Sequence, residues 1–199
     1  RWNMAGNRTK YFNIITIIKI MSPILFALCI FISNIVLSDD NKEGTFVILN
    51  DNEYVASFVK DISKAKESIT CALFMYKIDN YNMDNLQEPL PLITSALVKA
   101  AKSGVNVTMI FEKSKYEDDL SNKYNEKTAK YLAQNGINIK YDNIEKKLHA
   151  KLCLIDNKII YTGSHNFTYS AMMRNSESSV KIISYETAKS INEYFEKIQ

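Results

Sequence analysis

His149, Lys151, Ser164 and Asn166 are the side chains of this sequence whose types and spacing could do chemistry together. They lie in His149-Ala150-Lys151-Leu152-Cys153-Leu154-Ile155-Asp156 and, six residues further on, in Gly163-Ser164-His165-Asn166. A neutral imidazole can attack phosphorus directly, and the covalent intermediate splits one hard displacement into two easier ones. His149 is the expected nucleophile. Lys151 would supply a point charge, and Ser164 and Asn166 neutral donors, for non-bridging oxygens whose charge must be held in the transition state. Such a centre requires neither a metal nor another cofactor. The chemistry suits a phosphodiester.

These residues must be positioned by strands. Side chains alternate along an extended chain, so His149 and Lys151 share one face while Ala150 and Leu152 pack on the other. Asp156-Asn157 is favourable turn chemistry, and Ile159-Ile160-Tyr161-Thr162 then runs back as a second strand, bringing Ser164 and Asn166 toward the same end. His165, between Ser164 and Asn166, should point the opposite way and serve the loop. Cys153 follows Lys151 on the same strand face and reads as packing rather than chemistry.

The full pattern, H-x-K-x4-D-x6-G-S-x-N, resembles the signature of the phospholipase D superfamily at every fixed position. The resemblance runs from about Thr45 to Gln199 and is to short, single-motif members, a group that includes a bacterial endonuclease and a mitochondrial cardiolipin hydrolase. It implies an α/β fold with a mixed sheet flanked by helices on both faces. It also implies a homodimer, with one active site on the twofold axis and His149 of each subunit taking one role, attack or general acid. Asp156 carries over as a motif residue with a supporting, hydrogen-bonding role; the turn alone would equally call for an Asp there. Glu177 falls where relatives carry an acid that orients the nucleophilic histidine.

The remaining elements read as alternating strand and helix. Residues 45–49 form a β-favouring run typical of a buried strand. Asn50 and Glu53 resemble a capping box, with Tyr54, Phe58, Ile62 and Ala65 on one helical stripe. Strands are expected at 68–76, 105–111, 137–141 and 179–184, and helical faces at 92–101, ending at Gly104, and 126–134, ending at Gly136. Ala188, Ile191, Phe195 and Ile198 mark a last helix. Residues 77–91 are polar and long for a connection, so they are either a substrate-facing loop or a solvated insertion.

Composition narrows the class. With 199 residues, 46% of them hydrophobic, and only five Gly and three Pro, the chain is neither disordered nor a small turn-rich module. Cys29, Cys71 and Cys153 are far apart without a C-x-x-C pair, so they read as buried thiols rather than a zinc or disulfide framework. Of 25 basic residues, four (Arg1, Arg8, Lys10 and Lys19) precede Asp39, the first of 22 acidic ones, which leaves the rest of the chain at a formal net of −1. Any hold on a polyanion must come from a local patch.

Residues 12–37 are almost wholly apolar, with an 18-residue uncharged stretch at 20–37, the length of a membrane span. Basic residues before it and Ser38-Asp39-Asp40 after it place the catalytic body, residues 39–199, on the non-cytoplasmic side. Residues 1–38 are then an anchor, the slightly preferred reading, or a signal peptide cut near Ser38 that would leave the body secreted or periplasmic.

The expected function is a metal-independent phosphodiesterase acting through a phosphohistidine. A phospholipid headgroup substrate is favoured slightly by the anchor and by the absence of a basic surplus. A DNA or RNA phosphodiester is the alternative, and a catalytically silent, membrane-tethered binding protein on the same fold is a third reading. Transfer to an alcohol instead of water stays open.

Overall fold

The computed structural model describes residues 44–78 and 82–199. The apolar segment at 12–37 lies outside them, as does part of the 77–91 connection. Among the described residues no helix is long and apolar enough to cross a membrane.

The chain runs β1 (Thr45–Asn50), α1 (Glu53–Ile62), β2 (Ser68–Leu73), α2 (Pro89–Lys102), β3 (Asn106–Phe111), α3 (Leu120–Gln134) and β4 (Asn138–Tyr141). It continues with β5 (Lys151–Ile155), β6 (Ile159–Gly163), α4 (Tyr169–Met173), β7 (Ser178–Ile183) and α5 (Tyr185–Lys197). The seven strands make one mixed sheet in the order β1-β7-β6-β5-β2-β3-β4. β2, β3 and β4 are parallel, with a helix in each crossover, and the other pairs are antiparallel. This is the α/β arrangement the alternating pattern implied.

Both faces of the sheet carry helices, unequally. One face packs Tyr54, Phe58 and Ile62 of α1, Ile93 and Leu97 of α2, and Ala129 and Leu132 of α3 over Ile69, Cys71, Val107 and Met109. Fully burying a Phe58 or an Ile62 contributes about 1.5–3 kcal/mol each. The other face holds a smaller cluster, with Ala188 and Phe195 of α5 against Ala72, Ile110, Leu152 and Ile160.

Several expectations need correction. β1 is not a buried strand: it lies at the sheet edge, only Leu49 is buried, and Phe46 is 68% exposed. The capping box forms in half. Glu53 reaches back to the Asn50 N–H at 2.9 Å, but the cap position is Asn52, and Asp51 turns through φ 47°. α2 starts three residues early because Pro89 and Pro91 sit in its first turn, where a missing N–H costs nothing. α3 starts six residues early, at Leu120 behind an Asp119 cap. Cys71 and Cys153 are not free thiols but a disulfide. They stand directly opposite each other in the antiparallel β2–β5 pair, a register that their separation of 82 residues conceals.

Candidate active site

The hairpin forms as its sequence dictates. Asp156 and Asn157 take φ 50° and 49°, positive values that Asp and Asn tolerate best after glycine, and β5 and β6 pair from Ile155↔Ile159 back to Leu152↔Thr162. β2 lies antiparallel on the other side of β5, with Leu73 opposite Lys151. The end of β2, the start of β5 and the end of β6 therefore meet at one end of the sheet. His149, Lys151, Ser164 and Asn166 are gathered there. Glu177 joins them, because it precedes β7, whose Ser179 pairs with Gly163.

At the centre of that end is the ring of Phe74. The His149 ring lies 4.6 Å from it, centroid to centroid, and the ammonium groups of Lys151 and Lys147 each sit 5.0 Å from its centre. Lys151 is only 9% exposed; its Nζ donates to the His149 carbonyl at 3.0 Å and approaches His149 Nε2 at 3.5 Å. Burial holds the His149 pKa below the usual histidine value, and the charges of Lys151 and Lys147 lower it further. The Lys151 pKa is also lowered by burial, with Glu177 opposing. The imidazole is thus neutral at physiological pH, exposed, and beside a cation.

The loop side is held differently. Ser164 accepts the Ser178 N–H at 3.0 Å and donates its own proton to the Ser178 carbonyl at 3.2 Å. It fastens β6 to β7, so its hydroxyl proton is already engaged. Asn166 is half-buried, and its Oδ1 is buried with no hydrogen-bond partner among the described residues. Phe167 beside it is fully buried and bridges in parallel to Tyr76, with Phe167 N–H to the Met75 carbonyl at 3.1 Å. That bridge lays the Asn166 segment along the chain that carries Phe74.

Two motif residues have other work. Asp156 is at the far end of β5 from His149, where its carboxylate accepts the N–H groups of Lys66, Glu67 and Ser68 at 2.8–3.1 Å. Its support is to the fold, not to the reacting centre. His165 points away from the cluster, as expected. It is fully buried, stacked 4.5 Å from Tyr54, with Nδ1 at 2.7 Å from Ser179 Oγ and Nε2 at 3.0 Å from the Asp51 carbonyl. A carbonyl only accepts, so Nε2 carries the proton. Glu177 bonds Asn175 at 2.9 Å and does not hydrogen-bond His149 of its own chain.

A family model described as cardiolipin synthase, PLD-like domain, matches residues 58–199. The chain belongs to the phospholipase D-like family. The phospholipase D of Rickettsia prowazekii is 33% identical over 132 residues, 66% of this chain and 56% of that protein. The phospholipase D of Rickettsia typhi is 32% identical over the same length. The chain spans about half the length of these curated relatives. The crystal structure of Nuc, a phospholipase D family member from Salmonella typhimurium, matches with TM-score 0.63 and 25% identity, covering 78% of this chain and 94% of that one. NucT from Helicobacter pylori shares the fold with TM-score 0.59 and 23% identity, covering 78% and 96%.

The phospholipase D-like signature contains one glycine, and the structure gives its reason. Gly163 has φ 157°, and a Cβ there would lie 2.4 Å from Ser179 Cα, so no side chain fits between β6 and β7. Other residues of the centre carry no signature. Phe74 and Lys147 were missed because they lie outside the motif. Glu112 and Asp142 were missed too, although both accept the N–H of Leu148, the residue before His149. Their trace in the sequence is an acid directly after each of two neighbouring parallel strands, β3 and β4, whose last pair is Phe111↔Tyr141. Burial first, and then the Asp142 charge, push the Glu112 pKa up to about 7. A further group acts from α3. Asn125 accepts the Tyr76 N–H and donates to the Phe74 and Glu112 carbonyls at 2.9–3.1 Å, fixing the backbone under Phe74. Among the described residues no group of three or more His, Cys, Asp or Glu is placed to hold a metal ion.

Proposed function

We propose that this chain is a phosphodiesterase that hydrolyses phospholipid headgroups through a covalent phosphohistidine at His149, without a metal. The observation that carries the reading is the exposed, neutral His149 with Lys151 Nζ 3.5 Å from its Nε2. Nε2 attacks phosphorus; an N–P bond forms as the bond to the headgroup oxygen breaks. Lys151 and the Asn166 amide hold the non-bridging oxygens while charge builds on them.

A proton must reach the leaving oxygen, and within one chain no second histidine is available, since both nitrogens of His165 are engaged. A second copy related by a twofold axis supplies it: the partner subunit's His149, entering the reaction as the imidazolium beside this chain's Glu177, gives its proton to the leaving oxygen and, left neutral, later takes the proton of the attacking water. Water then displaces His149, the N–P bond breaks, and the lipid phosphate leaves. An alcohol in place of water gives headgroup exchange. Glu177, unbonded to its own His149, is left to orient the partner subunit's His149. The catalytic body lies on the non-cytoplasmic side, a compartment in which a disulfide such as Cys71–Cys153 persists.

The second reading, cleavage of nucleic-acid phosphodiesters, is favoured by the likeness to Nuc, which extends over 94% of that chain. The test is to offer the full chain, in EDTA, vesicles of mixed phospholipids, single-stranded DNA, duplex DNA and RNA, with His149→Asn as the blank. Headgroup release that vanishes in the blank is expected. Strand cleavage alone would overturn the lipid reading in favour of the nuclease, and a metal requirement would overturn the mechanism.

A further inference from the structure

A cleft of about 860 Å³ opens beside the catalytic end of the sheet, between the segment that follows β3 and the outer face of α3. Lys113, Lys115, Lys123, Lys127 and Lys130 line it, with Ile144 on its rim. Lys123, Lys127 and Lys130 fall at i, i+4 and i+7, one stripe of α3, and all three are exposed. Glu117 and Glu126 also line the cleft, and Glu126 pairs with Lys113 at 2.5 Å, so five cations face two acids. In a body whose formal net charge is −1, this is a local cationic surplus.

Apolar side chains stand out of the segments that border the cleft, Ile144 in its lining and Tyr116 and Leu120 on either side of Glu117, Asp118 and Asp119. Tyr116 is 67% exposed, Leu120 59% and Ile144 51%. The surface is linked to the reacting centre by a short series of contacts. Leu120 opens α3 behind its cap Asp119; Asp119 meets Lys147 Nζ at 3.5 Å; Lys147 sits over Phe74, against which His149 packs. Glu112, immediately before Lys113, holds the backbone that precedes His149.

We infer that this surface docks the enzyme on an anionic lipid bilayer, with the lysines on phosphate headgroups and Tyr116, Leu120 and Ile144 dipping into the interface. The combination of exposed aliphatic groups with lysines is what decides the occupant. Leu120 and Ile144 have no π-face on which a base could stack, whereas they gain by leaving water for acyl chains. Lysine acts as a point charge suited to a diffuse anionic surface and lacks the planar fork that reads individual groups. Docking here would set the bilayer against the end of the sheet where His149 stands. The inference rests on the lipid reading of the proposed function and names how that substrate is presented.

The test places a reporter in the surface of the full chain: Leu120→Trp with Trp2→Phe, which leaves one tryptophan. Vesicles of phosphatidylcholine, with and without phosphatidylglycerol, carry brominated acyl chains that quench a tryptophan at the interface. Quenching is expected with phosphatidylglycerol present, and it should be lost without it or in 0.5 M salt, which screens charges beyond about 4 Å. Adding Lys123→Glu, Lys127→Glu and Lys130→Glu should cut the quenching that depends on phosphatidylglycerol to under about a tenth of the parent's, with an unchanged melting temperature as the check on folding. Insertion by residues 12–37 holds the chain on neutral and anionic vesicles alike, so the docking is read from the difference in quenching between them and not from the amount bound. Equal quenching on neutral and anionic vesicles, or none on either, would overturn the docking. So would a tryptophan response to a single-stranded oligonucleotide but not to vesicles, which would make the surface a nucleic-acid track. Hydrolysis by the parent chain of a short-chain phospholipid below its micellar concentration separates the two claims. Turnover with a silent reporter removes docking alone; docking without turnover of monomeric or bilayer lipid removes the lipid-hydrolase reading alone.

Discussion

At its two ends the β5–β6 hairpin treats its polar residues in opposite ways. At the turn, Asp156 gives its carboxylate to three successive N–H groups of residues 66–68, and the turn backbone is locked by Lys158 N–H to the Ile155 carbonyl at 3.1 Å. At the other end, His149 is exposed, Lys151 is buried with its ammonium turned toward it, and Asn166 has a buried oxygen without a partner. Buried polar groups are ordinarily hydrogen-bonded, and the Asn166 oxygen, unlike the Asp156 carboxylate at the turn, is not spent on backbone of the described residues. One signature thus contains two kinds of residue, those that make the hairpin and those that the hairpin presents. The two kinds separate under mutation.

The largest difference should come from His149→Asn. Loss of the nucleophile is expected to lower headgroup release by more than about 1,000-fold, measured in EDTA, while the melting temperature stays within a degree or two because the ring is exposed. A residual rate above a few per cent would move the attacking group elsewhere. Mixed dimers of His149→Asn and parent subunits sharpen the result: with one site on the twofold axis they should be inactive, and half activity would place a complete site in each chain.

Midway along the hairpin strand stands the Cys71–Cys153 disulfide, buried in the larger core. Replacing both by serine should destabilise the fold by about 2–4 kcal/mol, read from the urea midpoint, and leave turnover per folded molecule close to the parent's. A selective loss of turnover would mean that the pair holds the catalytic end and not merely the sheet.

At the turn, Asp156→Ala should cost about 1–3 kcal/mol of stability, since three N–H groups lose a charged acceptor but can turn partly to water. Its effect on the rate of folded protein should be under about threefold. A collapse of the rate at unchanged stability would erase the distinction between the two ends.

How far the sequence reveals this division depends on whether the information is local. The hairpin, its alternating His149 and Lys151 and the outward turn of His165 follow from strand geometry over a few residues, and they were legible. β1 was not, because Phe46, Val47 and Ile48 look like any core strand, and edge position is decided by β7, more than 130 residues later. The start of α3 escaped because Asn122, Asn125 and Thr128 read as a solvated face. Each is buried and spends its side chain on backbone of another segment, such as Thr128 Oγ1 on the Tyr76 carbonyl at 2.5 Å. The disulfide needed the β2–β5 register. Glu177 was legible only through the resemblance, outside the motif itself, and its bond to Asn175 was not.

The smallest expected effect bears on how the catalytic end is held. Glu112 and Asp142 converge on the Leu148 N–H, and Asp142 also accepts the Lys113 N–H at 2.7 Å. Burial and the neighbouring carboxylate keep Glu112 protonated in the fold to about pH 7, well above the ordinary carboxylate range. The folded form thus binds this proton more tightly than the unfolded form, so the stability it contributes is complete below the unfolded value and is lost as pH rises through about 7. The depressed pKa values of His149 and His165 act in the other direction, and only on the acid side of the ordinary histidine value. Raising pH from 6.5 to 8.5 should therefore weaken the parent by on the order of 1 kcal/mol after allowance for solvent near the pair, read from urea midpoints. Glu112→Gln keeps an acceptor for Leu148 and a donor for Asp142 but has no proton to lose. Its stability should be flat across that interval, and a slope as steep as the parent's would show that Glu112 is not the titrating group.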